Sequence, residues 1–216
     1  MTGEQRLRIT EIFHSLQGET RTVGLPTAFI RLTGCPLRCT YCDTAYAFKG
    51  GTWHSFDDIL QKVADYGVEY VTVTGGEPLA QPECIALLKQ LCDLGYHVSL
   101  ETSGALDISQ VDTRVMRVVD LKTPDSNECD KNLYSNIEHL TPHDAIKFVV
   151  CSRQDYEWAR DITARYDLSK RCEVLFSPSY QQQPLEDLAG WILADKLKAR
   201  LQVQLHKYIW GDIPGV

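Results

Sequence analysis

Three closely spaced cysteines give the first indication of chemistry in this chain. Cys35, Cys39 and Cys42 lie in the run G-C-P-L-R-C-T-Y-C-D-T, with the spacing C-x3-C-x2-C. Thiolates grouped in this way bind soft metals, chiefly zinc, Cu(I) or iron–sulfur clusters. A structural zinc site is closed by four protein ligands, whereas a four-iron cluster held by three cysteines keeps one iron open for a small molecule. The spacing therefore favours an iron–sulfur cluster with an open iron.

Two other interpretations of these cysteines stay open. A distant His54, Cys84 or Cys92 could complete a zinc site, or the three cysteines could be unligated core residues. The remaining cysteines show no ligand spacing, and we interpret them as small buried or surface residues. They are Cys84, Cys92, Cys129, Cys151 and Cys172.

A glycine pair follows one of the predicted strands. The run T-G-G-E-P spans residues 74–78, directly after the strand-like run E-Y-V-T-V. Two glycines at the end of a strand allow a ligand to approach the backbone closely, so that N–H and C=O groups can meet the ammonium and carboxylate of an amino acid. A plain turn is the alternative, because Gly-Gly is common in turns. The position one βα unit after the cysteines favours a ligand site.

The rest of the chain alternates between strand-like and helix-like segments. Short β-rich runs, several of them almost continuously apolar, predict strands over residues 27–33, 69–73, 96–101, 115–120, 145–150, 172–176 and 201–205. Ser55, with Asp58 three residues later, is predicted to open a helix that ends near Tyr66. Pro82 is predicted to open another through Leu94, closed by Gly95, and further helices are expected over 153–166 and 184–197. A short helix is expected within 103–114, and 130–140 is ambiguous.

This alternation predicts an α/β fold with a mostly parallel sheet and right-handed crossovers. About six βα units are too few for a closed eight-stranded barrel. We therefore expect a partial (β/α)6 barrel, with a flat doubly wound sheet as the alternative. In either architecture ligands bind at the carboxyl ends of the strands. The cysteines lie at that end in an unusually long connection, residues 34–54, and connections of this length are usually functional.

Composition and charge are those of an ordinary globular protein. The chain has 216 residues, 44% of them hydrophobic and 24% charged, which fits a single domain over residues 1–216. No apolar run is long enough to span a membrane, and residues 1–12 are too charged for a signal peptide. We therefore expect a cytoplasmic protein with reduced cysteines and no membrane partner. The net charge of −7 argues against a nucleic-acid partner.

The cysteine motif and the glycine motif together resemble the radical S-adenosylmethionine superfamily. Flanking runs sharpen the resemblance to one of its families, the 7-carboxy-7-deazaguanine synthases. These runs are E-I-F-H-S-L-Q-G-E at 11–19, F-I-R-L-T-G-C at 29–35, Y-C-D-T at 41–44, E-T-S-G at 101–104, D-L-K-T-P at 120–124 and Q-L-H-K-Y at 204–208. The resemblance therefore extends over nearly the whole chain, from about residue 8 to the C-terminus.

This resemblance implies the conversion of 6-carboxy-5,6,7,8-tetrahydropterin to 7-carboxy-7-deazaguanine, a ring contraction with loss of ammonia that feeds queuosine and other deazapurine pathways. It implies a [4Fe–4S] cluster on the three cysteines, S-adenosylmethionine on the open iron, and Mg²⁺. A radical derived from S-adenosylmethionine would take a hydrogen atom from C6 of the pterin, and return of that hydrogen would regenerate S-adenosylmethionine. A homodimer and a flavodoxin-type reductant are also implied.

The resemblance implies several contacts to the cofactor. Tyr41 matches the aromatic residue that precedes the third cysteine. Gly76 and Glu77 belong to the loop that would hold the methionine end of S-adenosylmethionine. Ser103 and Lys122 lie at the ends of the third and fourth predicted strands, where they would contact its ribose or carboxylate.

The pterin substrate presents an edge of amino, ring N–H and carbonyl groups. Gln17 and Glu19, with the backbone from Leu16 to Gly18, offer complementary donors and acceptors, although the run is equally consistent with an exposed turn. Arg31 lies inside an apolar strand and either faces solvent at an edge or points inward to a ligand carboxylate. The resemblance favours the ligand.

Further contacts follow from the resemblance. Thr44, which alone would be read as a helix cap or a surface threonine, is implied as the Mg²⁺ ligand, with Asp43 as its support. Thr74 and His206 are implied as substrate contacts, although His206, at the end of the last predicted strand, could also be a structural histidine. The terminal carboxylate of Val216 would lie near the site.

Two other functions remain open at this point. Glycyl-radical activating enzymes share the cysteine spacing but act on a protein, so they need neither pterin-binding residues nor Mg²⁺. A zinc-stabilised adaptor between proteins is the non-enzymatic alternative. Metal analysis and turnover of carboxytetrahydropterin without a protein partner separate the three.

Overall fold

The computed structural model describes residues 5–216 as an α/β fold around one nine-stranded sheet. Residues 1–4, which are part of the predicted domain and of the segment judged not to be a signal peptide, lie outside the described residues. The strands are β1 (Arg6–Leu16), β2 (Pro26–Leu32), β3 (Thr52–Ser55), β4 (Tyr70–Gly75), β5 (His97–Thr102), β6 (Met116–Asp120), β7 (Ala145–Val150), β8 (Glu173–Pro178) and β9 (Arg200–Leu201). The α-helices are α1 (Phe56–Asp65), α2 (Cys84–Asp93), α3 (Arg153–Arg165), α4 (Leu168–Arg171), α5 (Leu185–Ala194) and α6 (Leu205–Trp210).

The sheet is open and mostly parallel. Its strand order is β3-β1-β2-β4-β5-β6-β7-β8-β9. Every pair from β2 to β9 is parallel, whereas β1 is antiparallel to both β2 and β3. The chain therefore forms the predicted partial barrel. Within residues 5–216, no helix is long and apolar enough to cross a membrane.

Side chains alternate between two environments along the parallel strands, because successive residues of a strand point to opposite faces. On β7, Ile146 and Phe148 are fully buried in the core, while Lys147 points to the other face. On β4, Val71 and Val73 belong to the core, and the residues between and after them are threonines. One face of the sheet thus packs against helices, and the other presents polar groups.

Two predicted helices have the expected caps. Ser55 Oγ accepts a hydrogen bond from Asp58 N at 3.1 Å, and Asp58 Oδ2 accepts one from Ser55 N at 3.3 Å, which together form a capping box for α1. Helix α2 begins at Cys84, slightly after the predicted Pro82, and Gly95 follows it with a φ of +90°, a conformation that favours glycine.

Other predictions of elements were wrong. The stretch 103–114 contains turns instead of a helix, since Asp107 Oδ1 accepts from Ser109 N at 2.8 Å and Asp112 Oδ1 accepts from Arg114 N at 2.9 Å. Such local hydrogen bonds compete with a helix. The predicted strand 201–205 is β-structured only at Arg200–Leu201, and helix α6 follows. Strands β1 and β3 were not predicted, and the ambiguous stretch 130–140 forms 3₁₀ turns.

Candidate active site

A cavity of about 730 Å³ lies at the carboxyl ends of the parallel strands. It brings together nearly all the residues that the sequence singled out. The predicted site residues in its lining are Leu16, Gln17, Gly18, Glu19, Arg31, Cys35, Cys39, Tyr41, Cys42, Thr44, Thr74, Gly76, Ser103, Lys122, His206 and Val216. Glu77 alone among the predicted site residues is not part of the lining. Chain segments far apart in sequence therefore converge on one space.

The cysteine loop is anchored to the rest of the barrel by backbone contacts. Thr40 N donates to Ser126 O at 3.2 Å, and Thr40 Oγ1 donates to Asp125 O at 2.7 Å. The Arg38 guanidinium donates to Cys35 O at 2.8 Å and lies 4.2 Å from the centre of the Phe48 ring. A long connection without regular structure is thus held in place around the cysteines.

The three cysteines are half-buried free thiols. Burial raises the pKa of Cys35 and Cys42, and it raises the pKa of Cys39 to about 11. Metal ligands must be thiolates, so loading of this site releases protons. The donor set fits a cluster held by three cysteines, because the three thiols face one roomy cavity.

The arrangement does not fit the zinc alternative. A structural zinc site needs a fourth protein ligand beside the three cysteines. His54, Cys84 and Cys92, the candidates for a fourth ligand, do not line the cavity. His54 instead hydrogen-bonds Thr52 Oγ1 through Nε2 at 2.8 Å.

Gly76, which directly follows β4, is required by its packing against the cysteine loop. A Cβ atom at Gly76 would lie 2.2 Å from Gly34 O and 2.7 Å from the Cβ of Cys35. Glu77 N donates to Gly34 O at 2.8 Å. The motif therefore joins strand β4 directly to the loop that carries the cysteines.

Glu77 lies in the protein interior, whereas the other predicted site residues line the cavity. Its side chain is fully buried, and its carboxylate accepts hydrogen bonds from Leu79 N, Thr102 Oγ1 and Ser103 N at 2.7–3.0 Å. It ties the turn after β4 to the end of β5. The expected contact of Glu77 with S-adenosylmethionine remains a prediction, and its carboxylate is engaged within the protein.

Tyr41, Asp120 and Lys122 lie close together beside the cysteines, and two of their polar atoms lack a hydrogen-bond partner in the described part of the chain. Lys122 Nζ donates to Asp120 Oδ2 at 2.9 Å and lies 5.7 Å from the centre of the Tyr41 ring. The hydroxyl of Tyr41 and Oδ1 of Asp120 are buried, and neither has a hydrogen-bond partner in residues 5–216. Buried polar groups without partners call for a ligand or water. The Tyr41 hydroxyl and Asp120 Oδ1 are therefore available to a ligand that binds next to the cysteines.

The Leu16–Glu19 segment is a buried loop and not an exposed turn. Gln17 is 2% exposed and Glu19 is 5% exposed. Gln17 Nε2 donates to Thr72 Oγ1 at 2.9 Å, and Gln17 Oε1 accepts from Glu19 N at 3.1 Å. The Gln17 amide thus braces the loop, while the Glu19 carboxylate lines the cavity and pairs with Lys147.

Arg31 points into the cavity. Strand β2 lies between β1 and β4, so the alternative of a solvent-facing edge is excluded. Arg31 Nε donates to Glu11 Oε1 at 2.7 Å, and the Tyr46 hydroxyl donates to the same oxygen at 2.8 Å. The guanidinium also lies 5.6 Å from the centre of the Phe13 ring. Glu11 therefore orients Arg31 through its Nε edge and leaves the terminal nitrogens for a ligand.

The inner face of the sheet carries a carboxylate with a strongly shifted pKa. Burial, and then the charge of Glu19, raise the pKa of Glu101 to about 7. Thr74 Oγ1 lies 3.5 Å from Glu101 Oε2. The cavity thus contains a carboxyl group that exchanges its proton near neutral pH.

The C-terminal segment covers the cavity and contacts the cysteine loop. His206 lies on helix α6, not at the end of a strand as predicted, and its ring packs on Gly18, where a Cβ would lie 2.0 Å from His206 Nδ1. Burial lowers the pKa of His206. Lys207 Nζ binds Asp43 Oδ2 at 3.0 Å.

The predicted Mg²⁺ ligand lies at the same end of the cavity. Thr44 Oγ1 donates to Asp43 Oδ1 at 2.9 Å. Burial opposes ionisation of Asp43, but Lys207 outweighs it and lowers the pKa of that carboxyl. Gly215 lies beside the Glu11 carboxylate, and Val216 lines the cavity.

Sequence reasoning missed several cavity residues. Lys147 and Lys207 each form an ion pair with a cavity residue distant in sequence, and Glu11 holds Arg31. One signal for Lys147 was present, a lysine in the otherwise apolar run A-I-K-F-V-V. Glu101 and Asp120 stood in quoted motifs without being assigned a role.

Comparison with known proteins agrees with this geometry. Residues 29–165 match the family model described as Radical SAM superfamily. The chain is 43% identical to the 7-carboxy-7-deazaguanine synthase of Koribacter versatilis, over 94% of this chain and 97% of the relative. It is 42% identical to the 7-carboxy-7-deazaguanine synthase of Chlorobaculum tepidum over the full length of both.

A solved structure supports the same fold. The crystal structure of QueE from Escherichia coli is similar with a TM-score of 0.78 at 24% sequence identity, and the match covers 94% of this chain and 96% of that one. Membership of the radical SAM superfamily implies a [4Fe–4S] cluster and S-adenosylmethionine. On its sequence, fold and cavity, the chain belongs to the 7-carboxy-7-deazaguanine synthase family of the radical SAM superfamily.

Proposed function

We propose that this protein converts 6-carboxy-5,6,7,8-tetrahydropterin to 7-carboxy-7-deazaguanine, with ring contraction and loss of ammonia, as a Mg²⁺-dependent carbon–nitrogen lyase of deazapurine biosynthesis. One observation carries the proposal. The cavity that contains Cys35, Cys39 and Cys42 also contains Glu19 and Arg31, which match two opposite ends of a carboxypterin.

The three cysteines would hold the [4Fe–4S] cluster. When bound, the cluster and S-adenosylmethionine supply a 5′-deoxyadenosyl radical, which is chemistry of the cofactor itself. The protein contributes position and exclusion of water. Gly76, Ser103, Lys122 and Tyr41 line the cavity and are proposed to bind S-adenosylmethionine.

The substrate is proposed to lie between the Leu16–Glu19 loop and strand β2. The Glu19 carboxylate accepts hydrogen bonds from the amino and ring N–H groups of the pterin edge. Arg31, oriented by Glu11, binds the substrate carboxylate through its terminal nitrogens. Thr74, His206 and the terminal carboxylate of Val216 complete the pocket.

Magnesium is proposed to bind at Thr44. Its hydroxyl, together with substrate oxygens and waters, gives the oxygen-rich coordination that Mg²⁺ prefers. Asp43 supports this residue, since it accepts a hydrogen bond from Thr44 and is fixed by Lys207. The ion would neutralise charge at the substrate carboxylate and orient the ring.

Partners and location are proposed on the family resemblance. We propose a homodimer, a flavodoxin-type reductant and a cytoplasmic enzyme. Exposed apolar side chains on α6 and the following residues, 37–67% exposed, support a protein contact on this side of the molecule. They are Tyr208, Ile209, Trp210 and Ile213.

The test is product analysis with the reconstituted protein. The wild type is loaded anaerobically with iron and sulfide, reduced, and incubated with S-adenosylmethionine and carboxytetrahydropterin, with and without Mg²⁺. We expect 7-carboxy-7-deazaguanine and ammonia in equal amounts, with faster formation in Mg²⁺. A protein that cleaves S-adenosylmethionine but leaves the pterin unchanged would contradict the proposal and would favour an activating enzyme that needs a protein substrate.

A further inference from the structure

Lys147 is a charged residue in the middle of a strand whose neighbouring residues are core. Ile146 and Phe148 are fully buried, whereas Lys147 points to the opposite face of β7 and lines the cavity. Its side chain is only 13% exposed. An ammonium removed from water to this extent is costly unless it is paired, so this position requires an explanation.

The partner of Lys147 is the carboxylate of Glu19, and Lys147 binds one of its two oxygens. Lys147 Nζ donates to Oε2 of Glu19, whose side chain is 7% exposed. In residues 5–216, no hydrogen bond is made to the other oxygen, Oε1. The loop is fixed by Gln17 through its bond to Thr72 at 2.9 Å. One oxygen of Glu19 is therefore held by the protein, and the other faces the cavity.

Several charged groups face this pair from other elements. Asp120 on β6 is the cross-strand partner of Lys147, but it already binds Lys122. The groups that interact electrostatically with Lys147, Glu19 or Glu101 include Arg31 on β2, Tyr41 in the cysteine loop, Glu101 on β5, Asp120 on β6 and His206 on α6. Lys147 is the cation paired directly with Glu19. Without Lys147, the buried Glu19 carboxylate would lose the ion pair that fixes its Oε2.

We infer that Lys147 is a positioning residue: its ammonium holds Oε2 of the Glu19 carboxylate and thereby directs Oε1 to accept from the amino and ring N–H edge of the pterin. This inference rests on the proposed function.

The chemical consequence concerns recognition of the substrate. The amino and ring N–H groups of the pterin are donors and need an acceptor in a fixed position. A Glu19 carboxylate that turns away leaves them unpaired, and a buried unpaired polar group costs binding affinity. Lys147 thus selects for ligands with a donor edge without touching them.

The central variant is Lys147→Met, which keeps the length of the side chain and removes its charge. Anaerobic binding of carboxytetrahydropterin and its KM are measured at pH 7. We expect KM and the dissociation constant to rise at least tenfold, with kcat changed less than threefold. Lys147→Arg keeps the charge and should recover most of the affinity.

Two controls separate positioning from structure. Lys89→Met removes a lysine from an exposed ion pair with Asp93 and should leave both constants unchanged. Glu19→Gln and the double variant Glu19→Gln/Lys147→Met complete a mutant cycle, and the double variant contains no lone buried charge even where Lys147→Met alone fails to fold. We expect the double variant to bind substrate no more weakly than Glu19→Gln.

Three results would overturn the inference. One is a Lys147→Met variant that binds carboxytetrahydropterin within twofold of the wild type at pH 7. Another is a Lys147→Arg variant that binds as weakly as Lys147→Met. The third is a double variant that binds a further tenfold more weakly than Glu19→Gln. A wild type that neither binds nor converts carboxytetrahydropterin would instead overturn the proposed function, and the inference with it.

Discussion

At the scale of single residues, the cavity relies on charged groups that hold one another in place. Arg31 is oriented by Glu11, Lys122 pairs with Asp120, and Lys207 pairs with Asp43. At least one residue of each pair lines the cavity and is held in place by the other. The proposed function therefore depends also on side chains that need not touch the substrate.

Loss of the Arg31 guanidinium should weaken substrate binding strongly. Arg31→Met removes the charge-assisted hydrogen bonds that we propose to the substrate carboxylate, each of which contributes about 1.5–3 kcal/mol, so we expect KM to rise about 100-fold. Steady-state kinetics on the reconstituted enzyme measure the effect. Arg114→Met, which removes an exposed arginine paired with Asp112, is the matched control. Equal KM values for Arg31→Met and Arg114→Met would rule out the assigned role of Arg31.

The raised pKa of Glu101 should make stability depend on pH. Burial, with the charge of Glu19, raises its pKa to about 7 in the folded state, against about 4.3 in an unfolded chain. The favourable contribution is therefore complete below about pH 4 and is lost as the pH rises through 7. We expect Glu101→Gln to lose less free energy of unfolding than the wild type between pH 5.5 and 8.5, by on the order of 1–3 kcal/mol.

Denaturant unfolding of the metal-free protein under reducing conditions measures this difference. Glu138→Gln, at an exposed glutamate, should behave like the wild type. If the wild type and Glu101→Gln lose the same free energy of unfolding over this pH range, Glu101 does not carry the raised pKa in the folded protein.

Some of this residue-scale detail could be predicted from the sequence. The three cysteines and the Leu16–Glu19 run were identifiable from spacing and resemblance, because their chemistry is local in sequence. The Lys147–Glu19 pair joins residues on β7 and in the loop after β1. Only the folded sheet brings these together, so no spacing rule could reveal the pair.

At the scale of elements, helix α6 connects the two halves of the site. Leu205 N donates to Gly18 O at 2.9 Å, His206 packs on Gly18, and Lys207 binds Asp43. The helix thus joins the loop proposed to bind the pterin to the loop of the cysteines. Displacing α6 should affect both.

A methyl group at Gly18 tests this connection. In Gly18→Ala the new Cβ would lie 2.0 Å from His206 Nδ1, so the His206 ring on α6 has to shift. We expect KM to rise at least fivefold, with retention of iron by the cysteines. Gly190→Ala is the matched control, because nothing lies within 4 Å of its Cβ position and the residue is in the middle of helix α5. That control should be neutral or stabilise by about 0.5–1 kcal/mol. Unchanged kinetics in Gly18→Ala would show that the position of α6 does not matter.

Helices with clear end signals were predicted well, and α6 was not. Ser55 with Asp58 and the glycine after α2 are local signals that the structure confirms. The run L-Q-V-Q-L alternates like a strand, yet only its first residue pairs with β8. Gln202 N still donates to Phe176 O at 2.8 Å, after which the chain turns over the cavity. Contacts with segments distant in sequence therefore determine where the strand ends and helix α6 begins.

At the scale of the whole molecule, a buried ion pair connects two neighbouring strands near their amino ends. Arg117 on β6 donates to Asp144, just before β7, through Nε at 2.9 Å and Nη2 at 2.6 Å. Burial opposes ionisation of Asp144, but hydrogen bonds from Arg117 and Thr141 outweigh it and lower the pKa of the carboxyl. The pair holds two strands that contribute Asp120 and Lys147 to the site.

Breaking this pair should destabilise the fold. Asp144→Asn leaves Arg117 buried without a counter-charge, and we expect a loss of about 3 kcal/mol in the free energy of unfolding at pH 7. Because the pKa is lowered, the contribution of Asp144 is complete above about pH 4 and decreases as the pH falls further. The difference between the variant and the wild type should therefore shrink toward pH 3. Asp112→Asn, in a pair with the half-exposed Arg114, should cost less than about 1 kcal/mol. Equal losses for the two variants would contradict this role.

The overall architecture followed from the alternation of strands and helices. Strands buried on one face by helices produce apolar runs that are easy to recognise, and their order follows from right-handed crossovers. The antiparallel strands β1 and β3 escaped recognition because β1 contains four charged or histidine side chains among its apolar ones. The open sheet leaves room for the cavity of about 730 Å³ in which we propose that the reaction takes place.

The central claim is that three cysteines hold a cluster whose remaining iron binds S-adenosylmethionine within this cavity. Electron paramagnetic resonance of the reduced, reconstituted protein, recorded before and after addition of S-adenosylmethionine, tests it most directly. We predict a [4Fe–4S] signal whose g-values change when S-adenosylmethionine is added, and no such signal when Cys35, Cys39 or Cys42 is replaced by serine. A signal that S-adenosylmethionine leaves unchanged, or that survives these replacements, would contradict the account.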